Sequence, residues 1–312
     1  MEDKKYNWMV RVRCMTFNHA NYIVDTMKGF TMQQTRFPFV CTIVDDASTD
    51  GEQEVIKGYF EQYFNHVETD LIKDCNNEDY VFFYGQHNQN AHCFFAVFLL
   101  KYNHYSLKKP KIHYLSPWAD SAKYVALCEG DDYWIHPHKL QKQVEYMEAH
   151  PDCSLCFHAN RNLSSDGSLN DYHLYKKDNN ECSLYDLIMG GGGVMATASM
   201  MYLRKATNDY PLWPSKCGIG DAPIMLVLAE RGKVAYLNEV MCVYRVSTSG
   251  SWTQRVVNVR SEKRKHYKRI KKMWNDYDEW SNYKHHKIVV EKKIKNAIHY
   301  HINMIKLFFR GK

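Results

Sequence analysis

Apolar and polar positions along the first part of the chain predict strands and helices in alternation. Residues 8–15 alternate between apolar and polar side chains, and residues 40–44 are continuously apolar, so both ranges predict strands. Residues 21–34 and 52–64 carry apolar side chains at helical spacing. A β-α-β-α order predicts a mostly parallel sheet with helices on both faces, which is an α/β fold.

The same pattern continues through the middle of the chain. Residues 91–103 and 139–149 predict helices, 124–128 predict a strand, and the apolar stretch 195–202 predicts a buried strand. The range 65–122 contains long polar, irregular stretches, and we interpret it as an insertion in the first domain. The four glycines at 190–193 are too flexible for a helix or strand interior, so they predict a loop, and a mobile loop at the active site is favoured.

Two pairs of adjacent aspartates each follow a predicted strand: Asp45-Asp46, and Asp131-Asp132 in the sequence CEGDDYW. Ligands of open α/β sheets bind beyond the carboxyl ends of the strands. Adjacent carboxylates repel each other unless a positive charge lies close to them. A divalent cation held by one or two carboxylates and by diphosphate oxygens is a usual magnesium or manganese arrangement. A solvated turn is the alternative, and for Asp45 a turn-forming role is equally compatible with the sequence.

Three stretches resemble, in order and spacing, the inverting nucleotide-sugar glycosyltransferases of family 2, of the type found in bacterial glycan biosynthesis. The stretches are MTFNHANYI (15–23), TIVDDASTDGE (42–52) and YVALCEGDDYWIHPHKLQKQVEYMEAHPD (124–152). The resemblance covers roughly residues 8–250 and implies the GT-A fold. That fold is a Rossmann-like, mostly parallel sheet flanked by helices, here expected over residues 1–253 and followed by a helical tail over 254–312.

The resemblance also implies roles for individual residues. It places a set of residues at the nucleotide: Met15, Thr16, Phe17, Asp45, Asp46 and Asp131. Asp132 would hold a divalent cation, Mn²⁺ or Mg²⁺, on the diphosphate, and Asp221 would be the general base. Asp221 also precedes the predicted helix 222–231, so a simple helix-capping role is the alternative.

Some positions depart from the family pattern or have two interpretations. Met15 replaces the usual proline, and Ser247 stands where many relatives carry histidine. Trp134 is either a core residue or a platform for a sugar, and Ser199 is either a strand residue or also an acceptor contact.

The implied reaction is inverting transfer of a sugar from a nucleotide-diphosphate donor, with a UDP-sugar favoured. The acceptor would be a hydroxyl of a glycan or of a lipid-linked acceptor in cell-surface polysaccharide synthesis. A bound cation offsets charge on a leaving diphosphate, and a carboxylate can take the proton of the attacking hydroxyl. A sugar nucleotidyltransferase is one alternative, although residues 15–20 lack the glycine expected of its phosphate loop. A non-catalytic glycan- or membrane-binding module is the other.

The uneven distribution of charge along the chain predicts that the C-terminal tail has a binding partner of its own. From residue 260 onward there are 16 Lys and Arg against 5 Asp and Glu, whereas residues 1–259 carry 25 against 30. An apolar stripe at helical spacing runs along the tail through Ile294, Ile298, Ile302, Ile305 and Phe309. Such a helix can lie on an anionic membrane, pack on the catalytic domain, or pair with a second copy in a homodimer. The charge favours the membrane, and nucleic acid is not expected because no nucleic-acid-reading motif accompanies it.

The expected location is the cytoplasm, with peripheral attachment at the inner face of the cell membrane. No run of apolar residues approaches the roughly 18 needed for a membrane span, and the charged first ten residues lack a signal-peptide core. The ten cysteines show no framework spacing and predict reduced thiols in the core.

Overall fold

The structure is a computed structural model that describes residues 6–72, 76–175, 181–246 and 259–309. The strands are β1 (Trp8–Thr16), β2 (Phe39–Asp45), β3 (Phe64–His66), β4 (Tyr80–His87), β5 (Cys93–Leu100), β6 (Ala122–Leu127), β7 (Tyr133–Trp134), β8 (Cys153–Leu163), β9 (Leu169–Tyr172), β10 (Met201–Leu203) and β11 (Lys233–Arg245). The helices are α1 (Ile23–Thr31), α2 (Glu52–Tyr63), α3 (Ile112–Asp120), α4 (Lys139–Ala149), α5 (Leu184–Gly190), α6 (Trp213–Cys217), α7 (Asp221–Ala229), α8 (Arg260–Trp280) and α9 (His286–Phe309).

Within these described ranges, one sheet has the order β3-β4-β5-β2-β1-β6-β10-β8-β11-β7, and β9 pairs with β8. Its centre, β5-β2-β1-β6, is parallel, as the sequence predicts. Strands β3, β4, β7, β9 and β10 pair in antiparallel fashion around this centre. Thr16 pairs with Asp45, and Asp45 with Leu99, so the carboxyl ends of the parallel strands meet at one edge.

Strand β2 explains why the centre of the sheet is parallel and covered on both faces. Every residue from Phe39 to Asp45 is buried, as expected of a continuous apolar strand with helices on each side. Met27 and Phe30 of α1 pack on one face, whereas Tyr114 and Trp118 of α3 belong to the cluster on the other. The sheet therefore presents its functional groups at its edge and not on its faces.

The interpretation of the range 65–122 needs correction. The predicted helix over 91–103 is wrong, because Cys93–Leu100 forms β5, which is hydrogen-bonded between β2 and β4. A short, fully apolar run has no periodicity that separates a buried strand from a buried helix. Phe94, Phe95 and Phe98 are the residues that favoured a strand. The range also contributes β4 and α3, so it is not irregular. Its status as an insertion stays a prediction.

Two further predictions differ from the structure. The glycine run is not a plain loop, since Gly190 ends α5 and Gly191–Gly193 forms one 3-10 turn. The stretch 195–202 is strand only at its end: Thr197–Ser199 is a 3-10 turn, and β10 begins at Met201. Only a short β10 is needed because it fills the gap between β6 and β8 in antiparallel pairing.

Helix α7 lies between the sheet and the tail helices. Met225 and Leu228 belong to the cluster formed with the sheet, whereas Leu226 and Val227 belong to the cluster that contains Trp274 of α8. The tail is thus packed onto the sheet and its helices through a shared hydrophobic cluster, although its separation as a domain at residue 254 stays a prediction. In the described ranges, no helix has the length and apolar character needed to span a membrane.

Candidate active site

The predicted site residues gather at the carboxyl edge of the central strands. β1 ends at Thr16, β2 ends at Asp45, and residues 129–132 follow β6. The backbone N–H of Gly130 donates to the carbonyl oxygen of Met15 at 3.1 Å. A Cβ atom on Gly130 would lie 2.0 Å from Thr16 Oγ1, so only glycine permits this close packing.

The loop that carries Asp131 and Asp132 is held from two sides. The hydroxyl of Thr26, on α1, lies 3.0 Å from the carbonyl oxygen of Gly130 and 2.6 Å from that of Asp132. The backbone N–H of Arg245, at the end of β11, donates to Asp132 Oδ1 at 2.9 Å. The position of the Asp132 carboxylate is therefore fixed by backbone groups of the core.

The side chain of Arg245 is a part of this site that the sequence interpretation missed. Its guanidinium donates to the carbonyl oxygen of Asp131 at 2.6 Å and to Asp25 Oδ2 at 2.5 Å. It also lies over the rings of Tyr22 and Tyr133, at 4.9 and 4.4 Å from their centroids. The signal available in the sequence was a lone arginine at the end of an apolar strand, where a buried charge needs several partners.

The acidic groups influence one another electrostatically. Burial first, and then the charge of Asp131, raise the pKa of the Asp132 carboxyl well above its usual range. Burial likewise raises the pKa of Glu129 to about 7, with Arg13 opposing the shift and with Asp131 and Asp221 adding to it. The charges of Asp131 and Asp221 therefore both disfavour ionisation of Glu129.

The Asp131–Asp132 pair fits a divalent cation that shares its ligands with a donor. Within the described residues, no group of three or more His, Cys, Asp or Glu could hold a metal ion by itself. Mg²⁺ and Mn²⁺ sites commonly use only one or two carboxylates and complete their coordination with phosphate oxygens and water. A cation would relieve both the repulsion between the two carboxylates and the cost of burying Asp132.

Glu52, the first residue of α2, is a second group that the sequence interpretation missed. It is fully buried, and its carboxylate accepts hydrogen bonds from the Thr16 hydroxyl, from the His19 backbone N–H at 2.9 Å and from the Ser48 hydroxyl at 2.9 Å. Burial raises its pKa to about 7 despite these bonds. Glu52 thus ties the end of β1 to the start of α2, where a helix N-terminus also favours negative charge.

Glu52 predicts a pH dependence of stability. The folded protein binds the proton of Glu52 up to about pH 7, whereas the unfolded chain releases it near the ordinary glutamate pKa of 4.5. The free energy of unfolding contributed by this group therefore falls as pH rises through that window, by up to about 3 kcal/mol. We expect Glu52→Gln to make the measured fall smaller by this amount, as determined by urea unfolding at several pH values. Glu54→Gln, an exposed position on the same helix, is the control and should retain it.

Asp45 stabilises the turn that follows β2. Its carboxylate accepts from the Ser48 backbone N–H at 3.0 Å and from Gln53 Nε2 at 2.5 Å, and the residue is fully buried. These bonds to Oδ1 support the turn-forming role, and a nucleotide contact by Asp45 stays a prediction because Oδ2 has no hydrogen-bond partner among the described residues.

Asp46 organises the loop that follows β5. Its two carboxylate oxygens accept from the backbone N–H groups of His104 and Tyr105, at 2.8 and 3.0 Å, and Lys111 Nζ lies 3.2 Å from Oδ2. A base contact by Asp46 stays a prediction, since most of its hydrogen-bonding capacity is already used.

Asp221 lines a cavity of about 540 Å³ beside this edge. It is exposed at the start of α7, and its Oδ1 accepts from the Ala222 backbone N–H at 2.9 Å. Tyr105, whose backbone is bound by Asp46, and Tyr244, next to Arg245, line the same cavity. The cavity thus connects Asp221 with the ends of β2, β5 and β11. Both the general-base and the helix-capping interpretation of Asp221 are compatible with this position.

The remaining residues that the sequence predicted for the site differ in how exposed their side chains are. Phe17 is exposed, Met15 is half-buried, and Thr16 directs its hydroxyl to Glu52. Trp134 is fully buried and donates its indole N–H to the carbonyl oxygen of Ala198 at 2.9 Å.

The expectation that Trp134 or Ser199 contacts a sugar or acceptor is corrected. Trp134 packs in the core against Phe30, with ring centroids 4.9 Å apart. Ser199 is fully buried, and its hydroxyl donates to the carbonyl oxygen of Ala196 at 2.7 Å. Ser247, where a histidine is usual in the family, lies outside the described residues.

Comparisons with known proteins agree with this fold. The chain is 30% identical over 238 residues to Rv1520, a protein of Mycobacterium tuberculosis described as uncharacterized. It is 25% identical over 276 residues to TuaG of Bacillus subtilis, a glycosyltransferase assigned provisionally to teichuronic acid biosynthesis. These alignments cover 76% and 88% of this chain, and 59% and 89% of the relatives. The chain thus spans little more than half the length of the mycobacterial relative. No model of a known protein family matches it.

Two solved structures place the fold. A mannosyltransferase from Pyrobaculum calidifontis, in complex with GDP-Man and Mn²⁺, matches with a TM-score of 0.54 and 15% identity over 88% of this chain and 65% of its own. S. aureus TarS, in complex with UDP, matches with a TM-score of 0.50 and 14% identity over 85% of this chain and 64% of its own.

These likenesses define the class of protein: the chain has the GT-A fold of nucleotide-sugar glycosyltransferases, with a parallel sheet centre, flanking helices and C-terminal helices. The resemblance to GT-A glycosyltransferases that the three sequence stretches indicated is therefore confirmed.

Proposed function

We propose that the protein is an inverting, family 2 glycosyltransferase that moves a sugar from a nucleotide-diphosphate donor to a hydroxyl of a glycan or lipid-linked acceptor in cell-surface polysaccharide synthesis. The observation that carries the proposal is that Thr16 and Asp131–Asp132 lie at one sheet edge, where Arg245 holds Asp132, and that Tyr244, the neighbour of Arg245, lines the same cavity as Asp221. The named activities of TuaG, TarS and the mannosyltransferase support the reaction class. A UDP-sugar is the donor that we favour.

The donor diphosphate is proposed to lie over the Asp131–Asp132 loop. Asp132 would hold Mn²⁺ or Mg²⁺, and the cation supplies Lewis-acid stabilisation of the leaving diphosphate. The Gly130 backbone keeps the loop against the end of β1, and Arg245 fixes the loop carbonyl of Asp131. The protein part of this arrangement is therefore set before a donor binds, which reduces the cost of organising the site.

Asp221 is proposed as the general base. It is exposed in the cavity that Tyr244 also lines, so an acceptor hydroxyl can approach it from the open side. The carboxylate takes the hydroxyl proton at Oδ1 or Oδ2 as the new bond to the anomeric carbon forms. A single base with direct displacement gives inversion, by analogy with the logic of inverting glycoside hydrolases.

The test is a panel of nucleotide sugars with manganese, read by release of free nucleotide diphosphate and by calorimetry with UDP in the presence and absence of Mn²⁺. We expect metal-dependent UDP binding and donor hydrolysis with at least one sugar. If no condition gives UDP binding or release of a nucleotide diphosphate, the proposal is contradicted and a non-catalytic module is favoured. Formation of a sugar nucleotide from a sugar phosphate would instead favour a nucleotidyltransferase.

The proposed location is the cytoplasmic face of the cell membrane, with α9 as the contact. Its apolar stripe is not covered by the catalytic part: Ile294, Ile298, Ile302, Ile305 and Phe309 are each about half exposed or more. The opposite side of α9 carries Val289, which is fully buried in the cluster with α7 and α8. The stripe and the surrounding lysines suit an anionic lipid surface, which attracts basic segments by about 1 kcal/mol per charge.

We therefore expect the protein to sediment with vesicles of about one part phosphatidylglycerol to two parts phosphatidylcholine, and less with phosphatidylcholine alone. Ile298→Glu with Ile302→Glu should abolish this binding, because it places two carboxylates in the apolar stripe. Ile112→Glu with Leu212→Glu, at exposed apolar positions elsewhere, is the control and should bind normally. If the first pair leaves vesicle binding intact but converts a dimer to a monomer in light scattering, the stripe is an interface between two copies.

A further inference from the structure

The cavity beside Asp221 has one wall from the catalytic part and one from the tail. Gly191 and Gly218 contribute bare backbone on the catalytic side, whereas Arg269 of α8 and Lys292 of α9 lie on the tail side. The lining does not include Thr16, Asp131 or Asp132. The cavity therefore contains the proposed base, Asp221, but not the residues assigned to the donor diphosphate.

The two cations lie against the two glycines. A Cβ atom on Gly218 would be 3.3 Å from Arg269 Cδ and Nε, and one on Gly191 would be 3.3 Å from Lys292 Nζ. Both glycines have positive φ angles, 71° and 64°, that other residues rarely adopt. The backbone on this side thus leaves room for a long basic side chain at each position.

Neither cation forms an ion pair with the residues that the structure describes. In the described part of the chain, no carboxylate lies within ion-pair distance of Arg269 or Lys292, although tail lysines such as Lys272 and Lys295 do have acidic partners. Lys292 Nζ donates to the carbonyl oxygen of Met189 at 2.6 Å, which leaves its other N–H groups available. Lys292 is half-buried, and a partly buried cation without a counter-charge is costly, so a bound anion would offset that cost.

We propose that Arg269 and Lys292 form a subsite for an anionic group of the acceptor, a phosphoryl or carboxyl group, while the acceptor hydroxyl lies at Asp221. The proposal rests on the proposed function, because it takes Asp221 as the base. Arg269 offers a planar fork that matches two oxygens of such a group, and Lys292 adds a point charge. An acceptor without a negative charge would leave both cations unpaired.

The experiment compares Arg269→Gln/Lys292→Gln with a matched control, Lys268→Gln/Lys287→Gln, which removes two exposed charges of the same helices outside the cavity lining. Calorimetry at constant ionic strength measures binding of inorganic phosphate, methyl glucuronide and neutral methyl glucoside, each with and without saturating UDP and Mn²⁺. We expect the wild type and the control to bind both anions but not the neutral sugar. The cavity variant should lose about tenfold or more of this affinity, as expected for a lost charged hydrogen bond.

A second variant, Arg269→Lys/Lys292→Arg, keeps both charges and should restore most anion binding, which separates charge from folding. The proposal is overturned if the wild type binds no anion, if the cavity variant binds as well as the control, or if UDP displaces the anion. It is also overturned if the cavity variant changes only its binding to phosphatidylglycerol vesicles, since the anion would then be a lipid headgroup. If the protein binds the anions but does not bind UDP, the result counts against the proposed function and not against the subsite.

Discussion

Asp221→Asn is expected to lower turnover by about 10²- to 10⁴-fold and to leave the affinity for UDP and Mn²⁺ unchanged. Asparagine keeps the shape of aspartate and caps a helix about as well, so the fold of α7 is preserved. It cannot accept the proton of an attacking hydroxyl, so only the chemical step is affected. Rates of donor consumption with the acceptor, together with calorimetry of UDP binding, measure the two effects separately.

The control for this variant is Asp209→Asn, at a turn residue outside the lining of the cavity. It should retain wild-type turnover. An equal loss of UDP affinity and turnover in Asp221→Asn would reassign Asp221 to binding. A fall in thermal stability with unchanged turnover per folded molecule would support the helix-capping interpretation instead.

Trp274→Ala is expected to lower the free energy of unfolding by about 3–5 kcal/mol. Trp274 is fully buried where the tail meets α7, in the cluster with Leu226 and Val227. Its removal opens a large cavity between the tail and the helix that begins at Asp221, so we also expect reduced turnover. Urea unfolding gives the change in stability.

Tyr283→Ala is the matched control, because this aromatic residue lies in the turn between α8 and α9 and is 60% exposed. Its effect on the free energy of unfolding should be within about 0.5 kcal/mol. If Trp274→Ala lowered the free energy of unfolding as little as Tyr283→Ala, the shared cluster would not contribute to stability. The tail would then not be coupled to the stability of the rest of the protein.

The sequence was sufficient for the order of elements that builds the site edge. The periodicity of 8–15, 21–34 and 139–149 corresponds to β1, α1 and α4 in the structure. Strand β5 was missed because its eight consecutive apolar residues carry no period, and only its pairing with β2 and β4 distinguishes it from a helix.

The sequence located the site but did not resolve the direction of individual side chains. Asp45 and Trp134 lie in the stretches that identified the fold, yet both are buried. Glu52 and Arg245 were missed because their roles depend on residues far away in sequence: Thr16 for Glu52, and Asp25 and Asp131 for Arg245. Such partners become visible only when the strands are placed side by side.

The position of α7 has a practical consequence for making fragments of this protein. Its residues are almost entirely apolar from Ala222 to Ala229, and both of its sides are covered, one by the sheet and the other by α8. A version of the chain cut before Arg260 would expose a continuous apolar face next to Asp221, and such faces promote aggregation. A shortened form of the protein made for crystallisation or ligand screening should therefore retain both C-terminal helices.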